Sequence, residues 1–489
     1  MNRTLNKPAT DDLLPRTAQY CQGYRAHPRP LSPSISTAAL RAQLCTPLED
    51  QGRPGSVVID ELINAAEPGL VGSTDPNFFA WVVGGSSPVG VAADWLTSAW
   101  GQNAALYQSS PAAAIAEEAV EAWLLDLLDL PRESSVGFVS GATMATLVGL
   151  AAARADVLQR FGHDFEANGF QGAPLARIYL SEDAHVANFS ALRHLGFGDA
   201  NFVKLPSDAA GLMRADDLAK AMNSHDGPKI IVAQAGHINS GGFEPLAEIA
   251  EIAEAHRAWT HVDGAFGLWA RASETKKGMT DGAELADSWS VDGHKWLQLP
   301  YASGFAIIRN REAHRRAMGM NAGYLNPSED DARDPSAYVP ELSRRANGFA
   351  AWAVLRSLGR HGVADLIDRH CTAAAHLGDH LRKIDGLSVL NLIALNQVVV
   401  ACRNPENEAR KITELAHRLN TNHHVFVRTA RWGDRTVLRL SVISQDTEDL
   451  HIKALGQAVT AAWQQVNAAV SVRGNEPGCI STGLTTVSP

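Results

Sequence analysis

Ser288-Trp289-Ser290-Val291-Asp292-Gly293-His294-Lys295-Trp296 is the most informative stretch of this 489-residue chain. Its first residues read as a buried strand, and Lys295 follows just past the strand end, beside a histidine. A lysine in apolar surroundings is costly unless it is paired or chemically used. Desolvation and a neighbouring cation both favour the neutral amine, the form that attacks a carbonyl to make a Schiff base. Taken alone, the residue reads more simply as a lysine snorkelling out of a strand end.

Working outward, three other strand ends carry chemistry-bearing residues. In His261-Val262-Asp263-Gly264-Ala265-Phe266-Gly267 a carboxylate follows a strand and precedes small residues. Such an Asp can hold the proton on a ring nitrogen while Gly and Ala leave room for the ring; the simpler reading is an Asp that begins a turn. Phe138-Val139-Ser140-Gly141-Ala142-Thr143 runs from a strand through glycine into a helix, where free N–H groups and the helix dipole suit a phosphate. The hydroxyls of Ser140 and Thr143 add donors, and ordinary N-capping explains the same residues. Ser181-Glu182-Asp183-Ala184-His185 ends a further strand, with His185 suited to stacking, proton transfer or packing.

Between these points short apolar runs alternate with helical periodicity. Strands are expected at 136–140, 177–181, 229–235, 259–264, 288–296 and 303–310, with helices after most of them. That alternation predicts an α/β fold with a mostly parallel sheet covered by helices on both faces, and ligands beyond the carboxyl ends of the strands. A smaller α/β unit is expected over 376–470, after a large domain over 89–375. Residues 1–88, broken by Pro28, Pro30 and Pro33, form a helical segment with little core of its own, and 471–489 lack apolar period and read as a mobile tail.

Composition sets the outer limits. Apolar residues are 45% and charged residues 20%, ordinary for a globular protein. Lys and Arg number 43 against 53 Asp and Glu, for a net charge of −10. That sign argues against a nucleic-acid surface or adhesion to anionic membranes, and leaves room for a local phosphate pocket. No run of about twenty apolar residues suggests a membrane span, and MNRTLNKPATDDLLPR lacks the apolar region of a secretory signal. Five scattered cysteines, without metal-ligand spacing, read as reduced thiols of a cytoplasmic protein.

The order phosphate turn, His, Asp, Lys, each at a different strand end, is similar to that of pyridoxal-phosphate enzymes of fold type I. More narrowly, the chain resembles the group II amino-acid decarboxylases, which include aromatic-L-amino-acid and glutamate decarboxylases. The resemblance runs from about Asp75 to about Gln465 and takes in Pro76-Asn77-Phe78-Phe79-Ala80, Ser110-Pro111-Ala112, Glu341-Leu342-Ser343-Arg344-Arg345 and Asn396-Gln397-Val398. It implies a seven-stranded sheet in the large domain and pyridoxal 5'-phosphate as cofactor. Lys295 matches the lysine that carries the cofactor, Asp263 the partner of its pyridine nitrogen, His185 the stacking histidine and Ala265 the small residue behind the other face. Gly141, Ala142 and Thr143 match the phosphate turn, with His294 close to the same phosphate. Asp292 stands where many relatives have Asn, and a carboxylate there is unfavourable beside a phosphate unless it points away or pairs.

The resemblance also implies a mobile loop, here within Asn326–Pro340, whose tyrosine protonates the product; Tyr338 is the match and Tyr324 the other candidate. The activity implied is decarboxylation of an L-amino acid to the amine and carbon dioxide, by a homodimer clasped by residues 1–88 with active sites at the interface. An aromatic substrate is slightly favoured: Phe78, Phe79 and Trp81, with Trp95 and Trp100, either line an aromatic pocket or pack the N-terminal segment. Arg344 or Arg345 would instead read an acidic side chain. Related outcomes on this fold are decarboxylation of acidic or diamino acids, aldehyde formation and carbon–carbon lysis. A non-catalytic homologue would not need Lys295, Asp263 and His185 together.

Overall fold

The computed structural model describes residues 12–319 and 333–473. Three N-terminal helices, α1 (Leu13–Ala26), α2 (Thr37–Leu44) and α3 (Gly55–Ala66), contribute no buried residue. Two helices follow, α4 (Pro88–Trp100) and α5 (Pro111–Leu127). Each begins with proline, whose missing N–H is harmless in a first turn. Gly101, with φ of 61°, ends α4 in the left-handed region.

The large sheet consists of β1 (Ser135–Val139), β2 (Arg177–Ser181), β3 (Phe202–Leu205), β4 (Lys229–Gln234), β5 (Trp259–Asp263), β6 (Ser288–Asp292) and β7 (Gly304–Ile308). Their order across the sheet is β1-β7-β6-β5-β4-β2-β3. Neighbours from β6 to β3 pair in parallel, and β7 runs antiparallel between β1 and β6. In this sheet the sequence reading did not place β3, which is four residues long, half-exposed and at the sheet edge.

Around this sheet lie α6 (Ala142–Arg160), the single turn α7 (Phe165–Asn168), α8 (Val186–His194), α9 (Ala215–Met222), α10 (Leu246–Ala255), α11 (Arg311–Met318) and α12 (Gly348–Leu381). Alternate residues of one strand serve different cores: Ile230 and Val232 pack with α6, while Ile231 and Ala233 join the core on the opposite face. Burial on both faces is why these strands read as continuous apolar runs.

The second sheet is antiparallel, ordered β10-β11-β9-β8, from β8 (Leu387–Val389), β9 (Gln397–Cys402), β10 (Arg428–Trp432) and β11 (Arg435–Ser441). Two helices cover it, α13 (Glu408–Asn422) and α14 (Asp449–Arg473). The boundary expected at 375/376 falls inside α12, which hands over between cores there. Val363, Leu366, Ile367 and Cys371 pack with the large sheet; Ala374, Leu377 and Leu381 pack with the small one. Residues 471–473, expected in the tail, continue α14, and the rest of that tail lies outside the described residues.

Candidate active site

Four strand ends and one helix start converge on a cavity of about 220 Å³, lined among others by Ala142, Thr143, His185, Asp263, Ala265, His294 and Lys295. Parallel strands bring their carboxyl ends to one edge of the sheet, so residues far apart in sequence meet there. The turn Gly141–Thr143 reaches the cavity because β7 passes close beneath it. A Cβ on Gly304 would lie 2.4 Å from the carbonyl carbon of Gly141.

Asp263 ends β5, 9% exposed. Its Oδ2 accepts a 2.9 Å hydrogen bond from Asn188 Nδ2, and its Oδ1 accepts one of 3.2 Å from the N–H of Ala265. His185 caps α8: its Nδ1 accepts the N–H of Ala187 at 3.3 Å, and its own N–H donates to Gln234 Oε1 at 3.0 Å. Burial lowers the His185 pKa, Asp263 opposes that shift and Lys295 adds to it, so the imidazole is neutral with its proton on Nε2.

Lys295 Nζ lies 3.0 Å from Asp292 Oδ2 and 5.6 Å from the centre of the Phe266 ring. Asp292 is 4% exposed, and its Oδ1 accepts the N–H of Ala142 at 2.6 Å. His294 Nδ1 is 3.4 Å from the same oxygen without hydrogen-bonding geometry. Burial holds the His294 pKa down, with Asp292 opposing, so this histidine carries no charge at neutral pH. The cationic neighbour expected to keep Lys295 neutral is therefore not there; the charged neighbour of Lys295 is an anion.

The family model described as the pyridoxal-dependent decarboxylase conserved domain matches residues 39–402. The chain belongs to the pyridoxal-dependent decarboxylases. It is 27% identical over 467 residues to tryptophan decarboxylase 1 of Oryza sativa subsp. japonica, covering 89% of this chain and 88% of that one. It is 26% identical over 458 residues to an aromatic-L-amino-acid decarboxylase of Bacillus atrophaeus, covering 89% and 92%. The fold is similar to a crystal structure of Oryza sativa TDC with PLP and tryptamine, with a TM-score of 0.87 and 24% identity over 95% of this chain and 99% of that one.

The donor set of this decarboxylase fits pyridoxal phosphate. A buried carboxylate held by two donors faces the cavity, small Ala265 lies beside it, and the N-terminus of a 19-residue helix opens onto the same space. Two buried nitrogens at the site have no hydrogen-bond partner among the described residues, Gln234 Nε2 and His294 Nδ1.

Several expectations about neighbouring residues need correction. Tyr338 does not line the cavity: it closes the 3₁₀ turn Pro335–Tyr338, is 5% exposed, and packs its ring edge-on against His314, whose Nε2 donates to the Tyr338 carbonyl at 2.9 Å. Arg333 lies over its ring. Tyr324 and residues 326–332 lie outside the described residues. Arg344 is buried, donating to both oxygens of Glu117 at 2.6 and 2.7 Å, and Arg345 pairs with Asp94 at 2.8 Å. Phe78 stacks on Phe426 with centroids 4.9 Å apart, and Phe79 lies in the core of the small sheet. These two aromatics take the packing role, while Trp95 and Trp100 stay exposed on the chain.

Sequence reading missed Asn188, Gln234 and Gln298. Asn188 lies three residues after His185, one helical turn on, and that spacing was the available signal. Gln298 Nε2 donates to the carbonyls of Lys295 and Ile443 at 2.6 and 2.7 Å, while its Oε1 accepts the N–H of Gly85 at 2.6 Å. One side chain thus ties the Lys295 loop to the N-terminal segment and to the small unit. Trp296 Nε1 donates to His370 Nδ1 at 3.0 Å, and His370 Nε2 donates to the Ser444 carbonyl at 2.9 Å, which fixes the other side of that loop.

Proposed function

We propose that this decarboxylase acts on an aromatic L-amino acid, as a cytoplasmic homodimer, with Lys295, Asp263 and His185 as its central residues. The observation that carries the site assignment is their convergence with the α6 start on one cavity. Lys295 Nζ is the amine that would hold the cofactor. Asp263, fixed by Asn188 and Ala265, would keep a proton on the ring nitrogen, and neutral His185 would cover the ring. Pyridoxal phosphate, when bound, supplies the sink for the electron pair left as the carboxyl departs. Ala265 and Phe266 give the cavity an apolar wall, and exclusion of water favours loss of the carboxylate charge.

The aromatic assignment is supported by the relatives and by the surroundings of the cavity. Arg344 and Arg345 are occupied by Glu117 and Asp94, and no arginine is among the described lining residues. Arg439, nearby, donates to the Ile238 carbonyl and to Asn239 Oδ1. Burying a second carboxylate without a cation would cost several kcal/mol, about enough to exclude an acidic substrate.

Exposed Leu14, Val57, Leu62, Trp95, Trp100 and Ile115 support the homodimer, because α1–α3 bury nothing within one protomer. Unpaired Cys21, Cys45, Cys371 and Cys402 support the cytoplasmic reading. No helix among the described residues is long and apolar enough to cross a membrane.

Carbon dioxide and amine release from a panel of L-amino acids tests the substrate. Tryptophan, tyrosine or phenylalanine should yield the two products in equal amounts. Turnover restricted to glutamate, aspartate or a diamino acid, or an aldehyde in place of the amine, would overturn the assignment.

A further inference from the structure

Asp292 is the charged group at the site that the proposed chemistry leaves without a role. It closes β6, three residues before Lys295, and is almost fully buried. Its two oxygens are both engaged by groups that a cofactor also needs. Oδ1 takes the first free N–H of α6, from Ala142 at 2.6 Å, and Oδ2 takes Lys295 Nζ at 3.0 Å. Free N–H groups at a helix start are the natural seat of a phosphate, and Lys295 is the amine of the site. The approach is tight: a Cβ on Gly141 would lie 3.3 Å from Asp292 Oδ1.

We propose that Asp292 competes with the cofactor phosphate for the start of α6, so that this chain holds a phosphate-bearing cofactor against a built-in anion. The inference rests on the pyridoxal-phosphate reading of the site and is independent of which amino acid is the substrate. The charged and titratable groups facing Asp292 are Lys295, His294 and Tyr301 from the segment that follows β6, Asp263 from β5 and His185 from the start of α8. Burial keeps both histidines neutral. Two buried carboxylates then face one ammonium, and no arginine among the described lining residues offsets an incoming phosphate. Like charges in a partly dry site repel strongly. Asp292 is thus a positioning residue: it orients Lys295 and the α6 start, and it weakens the hold on the phosphate.

The test compares pyridoxal phosphate with pyridoxal, which carries the same aldehyde and ring without the phosphate. Full-length wild type and Asp292→Asn, both stripped of cofactor, are titrated with each compound while the near-visible absorption band is followed. Asparagine keeps an acceptor for the Ala142 N–H and removes the charge. The dissociation constant for pyridoxal phosphate should fall about tenfold or more in Asp292→Asn, and that for pyridoxal should change less than about twofold. Because both compounds are read on the same protein, a folding defect would weaken both and cannot mimic that ratio. Equal tightening of the two compounds, or no tightening for pyridoxal phosphate, would overturn the competition. Absence of the band in both proteins would overturn the cofactor reading of the site and this inference with it.

Discussion

At the scale of single residues, the site depends on how firmly each reactive group is aimed. Asp263 has one hydrogen bond from a side chain and one from the backbone, and a substitution can remove the first alone. Hydrogen bonds to charged groups are worth about 1.5–3 kcal/mol, so Asn188→Ala should lower kcat about 10–100-fold. Asn188→Asp should be worse, because a second buried carboxylate would face Asp263. Steady-state amine production checks both, and an unchanged kcat in Asn188→Ala would show that Asp263 needs no such support. Lys295→Ala should lose the covalent absorption band and all measurable amine production, while still binding pyridoxal phosphate in an equilibrium dialysis measurement.

At the scale of elements, the site is an agreement between backbones that close contacts enforce. The N-terminal segment passes so near the Lys295 loop that a Cβ on Gly84 would lie 2.1 Å from the carbonyls of His294 and Lys295. Gln298 locks that crossing with bonds to three segments. Gln298→Ala leaves buried partners unsatisfied and should cost about 1–3 kcal/mol each for those that water cannot reach. Hydrogen exchange should report faster opening around Gly85, with the α13–α14 region unaffected. Elsewhere, Glu117 is buried between Arg333 and Arg344 and ties α5 to the segment after 332. Arg344→Met leaves Glu117 with one partner, and a loss of about 3 kcal/mol is expected from thermal unfolding.

For the whole molecule, buried titratable groups set the response to acid. Burial is the leading cause in each case: it holds His314 and His370 to about 3 and His261 to about 4, and raises Glu244 to about 7 and Asp287 to about 6. The unfolded histidines take protons near pH 6.5, so their contribution is complete above that value and falls as pH drops, by about 1.4 kcal/mol per pH unit each. The two raised carboxylates act oppositely: their contribution is complete below their unfolded values and is lost as pH rises through about 6 to 7. His185, His237 and His294 are shifted down by burial as well, so the histidines outnumber the two carboxylates: stability falls with pH below about 6.5, and more steeply below about pH 4, where the carboxylates no longer oppose them. Unfolding midpoints measured against pH at one protein concentration should show that steepening. His314→Gln, which can still bond Ser135 and the Tyr338 carbonyl, should flatten the acid limb.

The strands of the large sheet and the order of the reactive groups were legible in the sequence, because a strand buried on both faces is a continuous apolar run and a functional residue past its end interrupts that run. That ground made Lys295, Asp263, His185 and the Gly141–Thr143 turn candidates, each with a simpler reading beside it; their order along the chain and the family resemblance assigned the roles. The edge strand β3 gave no such signal, since a short half-exposed strand needs little apolar character. Nor could local sequence show that Arg344 is occupied by Glu117, that Tyr338 packs on His314, or that Gln298 joins three distant segments, because each partner arrives from far along the chain. The pairing of Asp292 with both Lys295 and the α6 start belongs with these. Sequence determined which chemistry the chain carries; tertiary packing decided which charges meet, because ion pairs and hydrogen bonds form only where folding brings their ends within about 3 Å.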